Sequence, residues 1–65
     1  MIGTVKNYNE ETKVGYIDGY DDIVYFFKQE YVKENITLKE NDIVRFDYLM
    51  YKKEETPIAI KIESV

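Results

Sequence analysis

Apolar and polar positions alternate with a period of two along most of this chain, in five short runs separated by polar stretches rich in Asp, Glu, Asn and Gly. That period marks β-strands, whose successive side chains project to opposite faces. Ile2 to Asn9 carries Thr4, Val5 and Tyr8 and runs into Asn9-Glu-Glu-Thr12, which predicts a strand followed by a turn. Lys13 to Asp18 predicts a second strand, and Asp18-Gly-Tyr-Asp-Asp22 a tight connection to a third over Ile23 to Lys28. From Gln29 to Asn41 the apolar residues Tyr31, Val32, Ile36 and Leu38 lack clean alternation. A short helical turn and a long loop are expected there, with one apolar side chain plugging the core. Asp42 to Tyr51 predicts a fourth strand, with Val44, Phe46, Tyr48 and Met50 on one side, Tyr48 expected in the core with Val44 and Phe46, and Ile43, Arg45 and Asp47 on the other. Lys52 to Thr56 is a charged connection, and Pro57 can start but not centre a strand, so Ile58, Ala59, Ile60 and Ile62 predict a fifth with its isoleucines inward. Five short strands with one long gap after the third predict an all-β fold, a small five-stranded antiparallel barrel.

Rings recur at alternate positions on strands two and three. Tyr16 projects opposite to Gly15 and Ile17, and Tyr25 and Phe27 project opposite to Val24 and Phe26. If Tyr16, Tyr25 and Phe27 share the outer face, they form a stacking platform of the kind that holds single-stranded bases, at about 1–3 kcal/mol per base. Tyr and Phe are also strong β formers that fill cores, so the pattern alone leaves both roles open.

Composition narrows the chemistry. The 65 residues amount to a single domain, 1–65. A chain this short buries only about 60% of its unfolded surface, so its stability margin is thin. It holds no Cys and no His, so it has no disulfide, thiolate metal site, imidazole ligand or imidazole base. No apolar run approaches the roughly 20 residues of a membrane span, and Met1-Ile-Gly-Thr does not open like a secretory signal. A cytoplasmic protein with no membrane partner is expected. The net charge of −4 has the wrong sign for gripping duplex DNA. Lys6, Lys13 and Lys28 nevertheless flank the aromatic segments, while Glu10-Glu11, Asp18, Asp21-Asp22, Glu40, Asp42 and Glu54-Glu55 fall mostly in predicted turns. The expected arrangement has lysines on the sheet and carboxylates at its rim.

Gly3-Thr-Val-Lys6, Asn9, Gly15-Tyr-Ile17, Asp22-Ile23, Phe26, Leu38, Val44, Phe46 and Pro57-Ile-Ala59, taken in order, resemble the bacterial cold-shock proteins over essentially the whole chain. The resemblance implies a cold-shock-like OB-fold barrel whose outward aromatics stack single-stranded RNA or DNA. The departures fall on the binding face. Asn7 stands where the family has Trp in Gly-Lys-Val-Lys-Trp-Phe-Asn, and Val14 where it has the first Phe of Lys-Gly-Phe-Gly-Phe-Ile. Ile36 falls near a loop aromatic of the family. Strand three aligns with the family's Val-Phe-Val-His in two registers. The preferred one sets Tyr25, Phe26 and Phe27 on Phe, Val and His; a one-residue slip would expose Val24 and Phe26 and bury Tyr25.

No catalytic apparatus is visible. The acidic pairs lie in predicted turns, Asp18 to Asp22 lacks the full pattern of a calcium loop, and there is no phosphate-cradling glycine loop, so no enzyme activity, metal or cofactor is expected. Taken with the resemblance, the expectation is a monomer that binds single-stranded nucleic acid. Tyr16, Tyr25 and Phe27 stack bases, with Tyr8 and Val14 at the edge of the platform. Lys6, Lys13 and Lys28 meet phosphates, and Asn7 meets a base edge. The same substitutions would also suit a rival of a different class, a protein-interaction module whose stacking face has become a docking surface.

Overall fold

The computed structural model describes residues 1–50 and 55–65. Five strands form: β1 (Ile2–Asn9), β2 (Val14–Gly19), β3 (Val24–Lys28), β4 (Ile43–Leu49) and β5 (Ile58–Ser64). They close into a barrel in the order β1-β2-β3-β5-β4, with β4 returning to pair with β1. All pairings are antiparallel except β3 with β5, a short parallel contact that sets Phe26 beside Ile58. The all-antiparallel expectation is corrected at this one seam, because a closed ring of five strands cannot alternate direction at every pairing and one neighbouring pair must run parallel. The start of the charged connection expected at Lys52 to Thr56 falls in residues 51–54, outside the described residues.

Between β3 and β4 the chain makes two 3₁₀ turns, Gln29–Tyr31 and Lys33–Asn35. Two apolar side chains from this segment plug the barrel rather than one. Val32 bridges to Ile62, and Leu38 is fully buried. The Gln29 side-chain amide donates to the Ile36 carbonyl at 2.6 Å and pins the loop to the end of β3. Ile36 itself packs partly buried against the core.

Val5, Ile17, Tyr25, Phe27, Val44, Phe46, Ala59 and Ile62 fill the interior together with those plugs. Two bulges decide which residues arrive there. In β1 the pairing steps from Val5 opposite Ile17 to Asn7 opposite Tyr16, so one extra residue at Lys6 reverses the alternation. Val5 points inward, Asn7 emerges outward, and Tyr8 turns inward. In β5 the pairing steps from Ile60 opposite Asp47 to Glu63 opposite Arg45, with Lys61 at the left-handed φ of 51°. Ala59 and Ile62 therefore face the core, Ile62 as expected, while Ile58 and Ile60 are only half-buried, which corrects the expectation for those two. Tyr48 is corrected as well. It keeps the side of Phe46, and its ring lies 5.3 Å from that of Tyr25, but it sits towards the end of the strand and is 47% exposed.

Candidate nucleic-acid interface

The pairing of β2 with β3 builds the outer face. Val14 lies opposite Lys28, Tyr16 opposite Phe26, and Asp18 opposite Val24. The alternate set, Gly15 opposite Phe27 and Ile17 opposite Tyr25, faces the interior. Tyr25 is 1% exposed and Phe27 0%, so both are core residues and neither can stack a base. The observed register is the one that exposes Val24 and Phe26, shifted by one residue from the preferred alignment. The cause is local. Gly15 and Gly19 lack the Cβ atoms that would otherwise stand 2.9 Å from the Phe27 ring and 2.7 Å from the Tyr25 ring. The two glycines leave space for inward rings on the neighbouring strand, which Tyr25 and Phe27 fill.

Phe26, absent from the expected set, is the ring that meets Tyr16. The two stand edge to face with centroids 5.7 Å apart, and Tyr16 is 39% exposed. Asn7 extends the row onto β1, exposed and directly opposite Tyr16. On the other side the row continues to Ile58 and then to Leu49. Half-buried Val14 sits one row below, between Asn9 and Lys28. Lys28 is exposed on that row, Lys13 is exposed in the turn before it, and Lys6 is exposed at the β1 bulge. The structure thus brings Lys6, Asn7, Lys13, Val14, Tyr16 and Lys28 to one face and its rim.

Tyr8 departs from its expected place at the platform edge. It pairs with Gly15 on the inner side and stacks on Phe27, with ring centroids 5.9 Å apart and planes 13° apart, closing the barrel mouth. It also lines an open cleft of about 620 Å³ with Asn7, Asn9 and Glu10. A second cleft, of about 730 Å³, is lined by Lys13, Val14, Lys28, Gln29 and Asn35 among others, and opens beside the platform. Asp18, expected at the end of the second strand and among the rim carboxylates, belongs to β2 and stands on the outer face itself.

The β2–β3 hairpin is tied by one polar cluster. The buried Tyr25 hydroxyl donates to Asp21 Oδ2 at 2.6 Å, and Asp21 Oδ1 accepts from the Ile23 N–H at 3.1 Å. Burial, reinforced by the hydrogen bond to Asp21, raises the Tyr25 phenol well above its ordinary value of 10.0. The bond from Tyr25 in turn lowers the Asp21 carboxyl below its ordinary 3.8. The two limbs have opposite signs. The contribution of Tyr25 is fully present below pH 10 and is lost as pH rises towards its raised folded value. That of Asp21 is present above its ordinary value and is lost as acid protonates it through its lowered one. Urea unfolding midpoints should fall above pH 10, and Tyr25→Phe should flatten that decline. An unchanged alkaline limb in Tyr25→Phe would refute the role of the cluster.

Among the described residues no group of three or more Asp or Glu side chains is arranged to hold a metal ion, and no helix is long and apolar enough to cross a membrane. Neither protein-family models nor curated protein sequences give a match to the chain. Fold and face together define a small closed β-barrel that presents an aromatic pair, flanked by lysines, on one side of its sheet.

Proposed function

We propose that this barrel binds single-stranded RNA or DNA without catalysis, as a divergent relative of the cold-shock proteins it resembles. The observation that carries the reading is the outward row Asn7–Tyr16–Phe26, an edge-to-face pair of exposed Tyr16 and half-buried Phe26 with a polar side chain beside it and Lys6, Lys13 and Lys28 around it. Stacking is tolerant of sequence because every base has a π-face, and the lysines supply phosphate neutralisation that the net charge of −4 conceals. Among the described residues the face has two rings, with Val14 and Val24 flanking them where further rings could stand. Binding is accordingly weaker than a full aromatic platform would give. Trapping of unpaired strands by mass action would then favour unfolded transcripts.

One observation favours a second reading, a protein-docking surface: the outer row runs on from Phe26 through the aliphatic Ile58 and Leu49. A fluorescence anisotropy titration with a labelled pyrimidine-rich oligonucleotide at two salt concentrations separates them. The nucleic-acid reading expects saturable binding with a shallow salt slope, weakened in Tyr16→Ala and Phe26→Ala by about 1–3 kcal/mol each. Absence of binding at low salt would overturn it in favour of the docking surface.

A further inference from the structure

On β2 and β3 the outer face is polarised along its strands, Lys6 standing apart at the β1 bulge. From the β2–β3 hairpin towards the β1–β2 turn, its rows are Thr4–Asp18–Val24, then Asn7–Tyr16–Phe26, then Asn9–Val14–Lys28. Lys28, with Lys13 in the adjoining turn, lies to one side of the ring pair. Asp18 lies to the other, two residues beyond Tyr16 on the same face, a Cα separation of about 7 Å. Its carboxylate is exposed and makes no hydrogen bond or ion pair among the described residues. The nearby Asp21, by contrast, is committed to Tyr25 and to the Ile23 N–H.

Resting on the reading of this face as a single-strand binder, we propose that Asp18 selects the stacked base, favouring guanine, then cytosine and adenine, over uracil. The carboxylate repels phosphates, so the backbone of a bound strand keeps to the lysine side. A base lying on the Tyr16–Phe26 pair then turns its hydrogen-bonding edge towards Asp18. An ionised carboxylate only accepts hydrogen bonds. Guanine offers it two parallel N–H donors, matched to its two oxygens and strengthened by the charge. Cytosine and adenine each offer an amino group. Uracil presents one N–H between two carbonyl oxygens, which meet the carboxylate with like sign. Discrimination by edge contacts is the usual basis of sequence preference on splayed single strands.

The test uses the full chain and four labelled RNA heptamers, UUUXUUU with X as G, C, A or U, titrated against wild type, Asp18→Ala and Asp18→Asn. Circular dichroism checks that each variant is folded. Wild type is expected to bind the G heptamer roughly tenfold or more tighter than the all-U heptamer, the scale of one good base-edge contact. Asp18→Ala should bring the four affinities together by weakening G while all-U binding is kept or improved. Asp18→Asn, whose amide also donates, should improve all-U binding specifically. An undiminished G preference in Asp18→Ala would overturn the assignment, as would equal binding of all four by wild type, and both leave the single-strand reading standing. Failure to bind any of the four would overturn that reading and the role of Asp18 with it.

Discussion

Phe27→Ala is expected to unfold the domain, whereas Phe26→Ala, one position earlier, leaves it folded. Phe27 is wholly buried, lies over Gly15 and carries the stacked Tyr8 ring at the barrel mouth. Truncating a buried Phe costs about 3–5 kcal/mol, through lost transfer energy and the cavity left behind. A core of this size rarely supplies more than about 3–5 kcal/mol in total, so the substitution consumes nearly the whole margin. Phe26 is half-buried on the outer face, and its ring partner is the exposed Tyr16. Its removal costs an edge-to-face pair, about 0.5–1.5 kcal/mol, together with a modest loss of packing. Urea denaturation followed by circular dichroism reads both variants. A folded Phe27→Ala beside an unfolded Phe26→Ala would reverse the assignment of faces on β3.

Gly15→Ala is the second large effect, a loss of about 3 kcal/mol, at the upper end of the overpacking range. A Cβ at this position would collide with the Asn7 carbonyl oxygen and meet two atoms of the Phe27 ring at 2.9 and 3.0 Å. The first of these is backbone in the paired strand and the second a packed ring, so neither can swing aside as the tip of a flexible side chain would. Relief requires β1 and β2 to separate beside the β1 bulge, or Phe27 to leave its place. Thermal melts followed by circular dichroism should show a sharply lowered midpoint, and a midpoint within 2 °C of wild type, less than about 0.5 kcal/mol for a domain this small, would refute the close packing at Gly15.

The strands and the closed barrel were legible in the sequence because polar turns bracket each apolar run and the long gap falls after the third. The face of β3 was not. Val24-Tyr25-Phe26-Phe27 is apolar at every position, so alternation carries no sign there, and the deciding information lies in β2, where Gly15 and Gly19 leave room for inward rings. Pairing glycines on one predicted strand with rings on the next would have identified Phe26 as the outward residue. The bulges at Lys6 and Lys61 were hidden for a related reason: each inserts one residue without a glycine or proline to mark it. Tyr8, Ile58 and Ile60 were therefore assigned by a parity that the chain breaks. Val14, Tyr16 and Lys28 reach the outer face by simple alternation, with Lys13 in the turn beside them, while Lys6 is the extra residue of the β1 bulge and Asn7 faces outward because that bulge reverses the alternation.

Adjacent residues on β2 and β3 answer to different demands. Gly15, Ile17, Tyr25 and Phe27 are held by the barrel, while Val14, Tyr16, Val24 and Phe26 meet only solvent, one another and whatever lies across the sheet. Over a lineage, the second set can change identity one residue at a time without endangering the fold. A barrel of this kind can shed rings, gain carboxylates and alter its preference for a ligand by drift, and its interior would keep little record of the change.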